Sequence, residues 1–106
     1  MTDYARNYLE FFGLDKYDPI EDPVNGLPAV DFHHLVARGM GGSKKRNGAW
    51  NLIPLTRDNH NQAERDQEFN ERLKRIHFCN LVEHMASQLG ITYTLTVDNV
   101  YSKGQD

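Results

Sequence analysis

The strongest constraint on how this chain can fold is an interruption near its middle. Residues 37–49 read ARGMGGSKKRNGA, with four glycines, a serine and an asparagine. Glycine inside a helix or strand costs roughly 0.5–1 kcal/mol relative to alanine, so this span is a loop. Short runs of strand character lie on either side. Residues 29–35 supply Val30, Phe32 and Leu35, and residues 51–55 read NLIPL. Pro54 has no N–H to give a ladder, which places it at a sheet edge or strand end. Two such runs pair as an antiparallel hairpin across the long loop.

The flanks have a different period. Thr2 or Asp3 can cap a helix running to about Phe12, with Tyr4, Tyr8, Phe11 and Phe12 as an aromatic stripe and Gly13 as its stop. That stripe reads as a lid packed on the core. Residues 15–26 are acidic and broken by Pro19, Pro23 and Asn25-Gly26, hence loop. Beyond Leu55, Thr56 or Asp58 can cap a helix to about Glu64, and residues 65–66 either break it or let it continue. From residue 67 to 89, Phe69, Leu73, Ile76, Cys79 or Asn80, Val82 or Glu83, Met85 or Ala86, and Leu89 trace an imperfect apolar face. Arg72, Lys74 and Arg75 lie opposite, and Gly90 stands where a helix C′ residue belongs. ITYTLTV, residues 91–97, alternates as a strand. The expectation is one α+β domain over residues 1–106: a core hairpin plus helix, an N-terminal helix, a long C-terminal helix and a short C-terminal strand.

Charge narrows the partners. Net charge is −3, which excludes indiscriminate coating of nucleic acid. The distribution is uneven, however. Arg38, Lys44, Lys45, Arg46 and Arg57 form a basic block with no acid between them, while residues 15–31 hold five acids and one lysine. A polyanion can be met locally. The one cysteine, Cys79, excludes an internal disulfide and multi-cysteine zinc sites and points to a reducing, cytoplasmic setting. No run approaches the roughly 20 apolar residues of a membrane span, and the opening residues lack signal-peptide character.

The histidines carry the chemistry. His33 and His34 end the first run, and the second run leads directly into the helix bearing His60. Glu64 follows His60 by one helical turn, on the same face. Imidazole is both a first-row metal ligand and a general base near neutrality. His77 and His84 have no partner at i+3 or i+4 and read as structural or surface residues. Trp50 reads as a core anchor. Asp31 shares a strand face with His33, where it either orients that ring or is solvated.

DFHH, then Asn51 in NLIPL, then His60 in RDNH resembles the His-Asn-His motif of the HNH endonuclease superfamily, the ββα-metal nucleases. The match covers residues 26–64. The resemblance implies His34 as the general base that deprotonates water, and Asn51 as the residue that pins the hairpin loop and helps orient that base. It implies His33 and His60 as ligands of one divalent metal ion (Mg2+, Mn2+, Ni2+ or Zn2+). Glu64, where some members have a further His, is an optional ligand. Many members staple the motif with cysteine-bound zinc, which this chain cannot do.

The implied activity is metal-dependent hydrolysis of DNA phosphodiesters, in a compact form like that of phage and prophage nucleases. Arg38, Lys44, Lys45, Arg46 and Arg57 would meet the phosphate backbone. No base-reading helix is evident, so little sequence specificity is expected, and the chain would act as monomer or homodimer. The alternative is a catalytically inactive DNA-binding or regulatory module that keeps the HNH fold.

Overall fold

The computed structural model describes residues 2–37, 39 and 44–91. It is an α+β arrangement of a two-stranded antiparallel sheet and three α-helices. Helix α1 (Asp3–Phe12) begins at Thr2, whose hydroxyl accepts the Ala5 N–H at 3.2 Å. It ends where Gly13 turns left-handed at φ 67°, a conformation that costs glycine no Cβ clash. Both ends match the sequence expectation.

Strand β1 (Asp31–His34) pairs with β2 (Leu52–Leu55) in the register Asp31↔Leu55, Phe32↔Pro54, His33↔Ile53 and His34↔Leu52. Both strands are shorter than their apolar runs. Pro54 faces no ladder conflict because each strand of a two-stranded sheet is an edge. Side-chain alternation then sorts the sheet into two faces. Phe32 and Leu52 pack under α1, with Tyr8, Leu9, Tyr4, Phe12, Leu14 and Ile20. Ile53 and Leu55 join Leu35, Ala63 and Leu73 in a second cluster, with Val24, Phe69 and Ile76 against them. All four β2 residues are buried. The aromatic stripe is the expected lid: the Tyr8 and Phe32 rings lie 4.9 Å apart, and burial pushes the Tyr8 hydroxyl pKa up to about 12.

Among its described residues, the end of the glycine-rich span is regular where composition implies a loop. Lys44–Asn47 and Ala49–Asn51 are 3-10 turns. The second turn faces Ala49 and Asn51 inward and leaves Trp50 52% exposed, so Trp50 is not a core anchor. Its ring instead lies over Gly48, where an added Cβ would come within 2.7 Å of Trp50 Cδ1.

Helix α2 (Arg57–Arg65) starts at Thr56, and α3 (Gln67–Gln88) follows after a single residue. Asp66 is the break: extended at φ −126°, ψ 102°, it ends α2 and accepts the Phe69 N–H at 3.1 Å to cap α3. Gly90 closes α3 at φ 73°, as expected. The apolar face of α3 is buried or half-buried from Phe69 to Val82. Toward its C-terminal end, Met85 and Leu89 are exposed. There it meets α1, where His84 packs on Phe11 and Phe12 at 5.3 and 4.9 Å. His77 is buried, and its Nε2–H donates to the Ala49 carbonyl at 2.6 Å, tying α3 to the second 3-10 turn.

The acidic loop is anchored by Asp22, which is 0% exposed. Its carboxylate accepts from Val24 N, from Thr56 N and Oγ1, and from Asn59 Nδ2, at 2.7–3.1 Å. One side chain therefore fastens the loop to the start of α2. The expected strand at residues 91–97 lies outside the described residues beyond Ile91. Among the described residues, no helix is long and apolar enough to cross a membrane.

Candidate metal centre

The alternation that builds the two sheet faces also separates the adjacent histidines. His33 and Asp31 look toward α2 and α3, whereas His34 looks toward α1. The two rings leave the strand on opposite sides.

His33 is 4% exposed. Its Nε2 meets Asn70 Oδ1 at 2.7 Å. Its Nδ1 is buried with no hydrogen-bond partner among the described residues and lies 3.8 Å from Glu64 Oε1. Burial pushes the His33 pKa below the usual histidine value, the nearby His60 and His34 act in the same direction, and the Asn70 hydrogen bond and Glu64 oppose them. The ring is therefore neutral at pH 7, the state in which imidazole ligates metal.

His60 sits in the first turn of α2, 5.2 Å from His33 between ring centroids. Its Nδ1 lies 3.1 Å from Asp31 Oδ2, and its Nε2 lies 3.1 Å from Glu64 Oε1. Asp31 also receives Arg57 Nε at 2.7 Å and Nη2 at 3.1 Å. The Arg57 hydrogen bonds hold the Asp31 carboxyl below its usual pKa, against a smaller opposing effect of burial, and His60 adds to the lowering. An ionised carboxylate only accepts, so His60 Nδ1 carries the proton and donates it. In the neutral ring Nε2 is then a lone pair facing a carboxylate oxygen, an arrangement that repels unless a proton or a cation lies between them. Asp31 thus orients His60, not His33 as strand alternation suggested.

His33, His60 and Glu64 each bring a ligand atom to one place, all within 4.8 Å of one another. The set passes a chemical test of fit. Two imidazole nitrogens, one of them buried and without a hydrogen-bond partner among the described residues, and a carboxylate oxygen are donors suited to a first-row divalent ion.

His34 lies on the other side of the strand. Its Nε2 meets Asn47 Oδ1 at 3.0 Å, and the Tyr4 ring stands edge-on at 5.0 Å. A surface groove of about 400 Å³ is lined by His34, Tyr4, Phe32, His60 and Glu64. The groove runs from His34 to His60 and Glu64.

Asn51, 0% exposed, pins both ends of the loop. Its Oδ1 accepts Val36 N–H at 2.7 Å, and its Nδ2 donates to the Val36 and Arg46 carbonyls at 2.9 Å each. The bond to His34 comes from Asn47 and not from Asn51. The basic block divides. Lys44 and Lys45 lie exposed on the first 3-10 turn. Arg46 Nη1 is bonded to the Ala37 carbonyl, and Arg57 is held by Asp31. Arg38 lies outside the described residues.

Two site residues escaped sequence reasoning, Asn47 and Asn70. Asn70 had one signal, since asparagine is a poor residue for a helix interior unless its amide has other work. Asn47 had none among the other polar loop residues. No protein-family model, curated protein or solved structure matches the chain.

Proposed function

We propose that this chain is a metal-dependent endonuclease of the ββα-metal type, hydrolysing DNA phosphodiesters with His34 as general base and one divalent ion held by His33, His60 and Glu64. The observation that carries the reading is the bare, buried Nδ1 of His33 facing the His60–Glu64 pair. Donor chemistry favours Zn2+, Ni2+ or Mn2+ over Mg2+, which prefers an all-oxygen shell. When bound, the ion supplies Lewis-acid stabilisation of charge on a phosphate oxygen and the leaving group.

The chain's own residues do the rest. Asp31 and Arg57 hold His60 with its Nδ1 protonated. Asn47 holds His34 through Nε2, so that Nδ1 is the acceptor for a proton from water. Phe32 and Tyr4 wall the groove beside that ring. Lys44 and Lys45 supply charge for backbone phosphates without reading bases.

The test is cleavage of supercoiled plasmid in Zn2+, Ni2+, Mn2+ and Mg2+. Conversion to nicked or linear forms should require metal. General-base catalysis is typically worth about 10²–10⁴-fold, so His34→Ala should lose that much rate while retaining metal. Equal cleavage by the variant, or none by the wild type in any metal, would refute the reading.

A further inference from the structure

We propose that Asn70 is a positioning residue that fixes His33 in its Nε2–H tautomer, so that Nδ1 is held bare and aimed at the bound cation. The inference rests on the metal-site reading above and adds a residue from α3 to it.

A chain of hydrogen bonds fixes the direction. Asn70 Nδ2 lies 2.9 Å from the Leu35 carbonyl, which can only accept. The amide NH2 must therefore face Leu35, and the amide oxygen must face His33. That oxygen in turn can only accept, so at 2.7 Å the His33 Nε2 carries the proton. A neutral imidazole has one ring proton, so Nδ1 is left as a lone pair. Nδ1 is buried, lacks a hydrogen-bond partner among the described residues, and looks toward Glu64 Oε1.

Each link is held rigidly. Leu35 is buried in the core cluster, and Asn70 lies in the first turn after the Asp66 cap, which sets where α3 crosses β1. Its backbone N–H returns to the Asp66 carbonyl at 3.0 Å. His60 receives equivalent treatment from Asp31. Both ligand histidines thus have one nitrogen committed to a protein acceptor and the other turned to the cation site, although the acceptor is a carboxylate in one case and an amide in the other.

The test compares wild type with Asn70→Leu, which removes both bonds, and Asn70→Asp, which keeps the acceptor and loses the donor to Leu35. Imidazole 15N NMR on the metal-free protein, at a pH above the ordinary histidine range, reads the His33 tautomer. Calorimetric titration with Zn2+ alone reads affinity, and thermal melting reports folding. Wild type should show the Nε2–H form. N70L should show mixed tautomers and bind Zn2+ about 10–100-fold more weakly. N70D should be less stable yet keep the tautomer and bind more tightly than N70L.

An unchanged tautomer and affinity in N70L would overturn the proposal, as would N70D losing affinity as fully as N70L, which is the signature of a purely structural role. Failure of the wild type to bind Zn2+ would overturn the metal-site reading and the purpose given to Asn70. Wild-type binding that N70L leaves unaltered would overturn the Asn70 assignment alone.

Discussion

Removing the Asp22 carboxylate should be among the most damaging single changes outside the candidate site. Four hydrogen bonds converge on it from Val24, Thr56 and Asn59, and the residue is fully buried. Bonds to a charged group are worth about 1.5–3 kcal/mol each, but four do not add in full, because water entering the vacated space re-pairs some donors. The expected loss for Asp22→Ala is therefore about 3–5 kcal/mol, as for breaking a buried hydrogen-bond network that leaves neutral donors unpaired. For a domain this small that corresponds to a fall in Tm of about 12 °C or more. Asp22→Asn retains one acceptor oxygen and should cost about 2 kcal/mol.

The pH dependence follows from the same bonds. Burial alone would raise the Asp22 pKa, but the hydrogen bonds from Thr56, Asn59 and Val24 outweigh it and the net shift is downward. A carboxyl with a depressed folded pKa contributes stability that is complete above its unfolded value, about 3.9. That contribution is lost as pH falls through the folded pKa. Urea unfolding of wild type should therefore show stability falling below about pH 4, and Asp22→Asn should lack that part of the acid slope. A loss under about 1 kcal/mol for Asp22→Ala, or an identical acid slope in Asp22→Asn, would refute the reasoning.

Two further outcomes bear on the site. Asp31→Ala, measured by calorimetry, should weaken metal binding about 10–100-fold, because His60 loses the acceptor that fixes its Nδ1 proton; unchanged affinity would show that Arg57 and Asp31 serve only the surface. Replacing Lys44 and Lys45 by glutamine should reduce the slope of log affinity for DNA against log salt by about 0.9 for each phosphate no longer neutralised, and an unaltered slope would remove this turn from the DNA interface.

What the sequence made legible was local. Thr2 and Gly13 bound α1 where capping chemistry puts them, and Gly90 ends α3. The antiparallel hairpin follows from two apolar runs around a loop. Asp66 left a choice open because an aspartate can sit mid-helix or cap; only its extended backbone decides. Asp22 was one acid among four in a proline-broken loop, and nothing near it in the chain signals burial. Its partners Thr56 and Asn59 lie 34 and 37 residues further along the chain. Trp50 reads as core by size, yet the 3-10 turn gives the inward positions to Ala49 and Asn51.

The site divides in the same manner. His60 and Glu64 are linked by helical period, which a sequence displays. The placement of Asp31 on the His33 face was legible too, but its reach across to His60 depends on how α2 packs. Asn70 and Asn47, which hold the two adjacent histidines, come from elements whose approach to β1 is tertiary.

The most direct test of the central claim is a calorimetric titration of the metal-free protein with Zn2+, run beside His33→Ala, His60→Ala and His34→Ala. One ion per chain should bind the wild type, with binding strongly weakened in the first two variants and retained in His34→Ala. Affinity that survives His33→Ala, or that disappears equally in His34→Ala, would contradict the division of the two adjacent histidines into ligand and base.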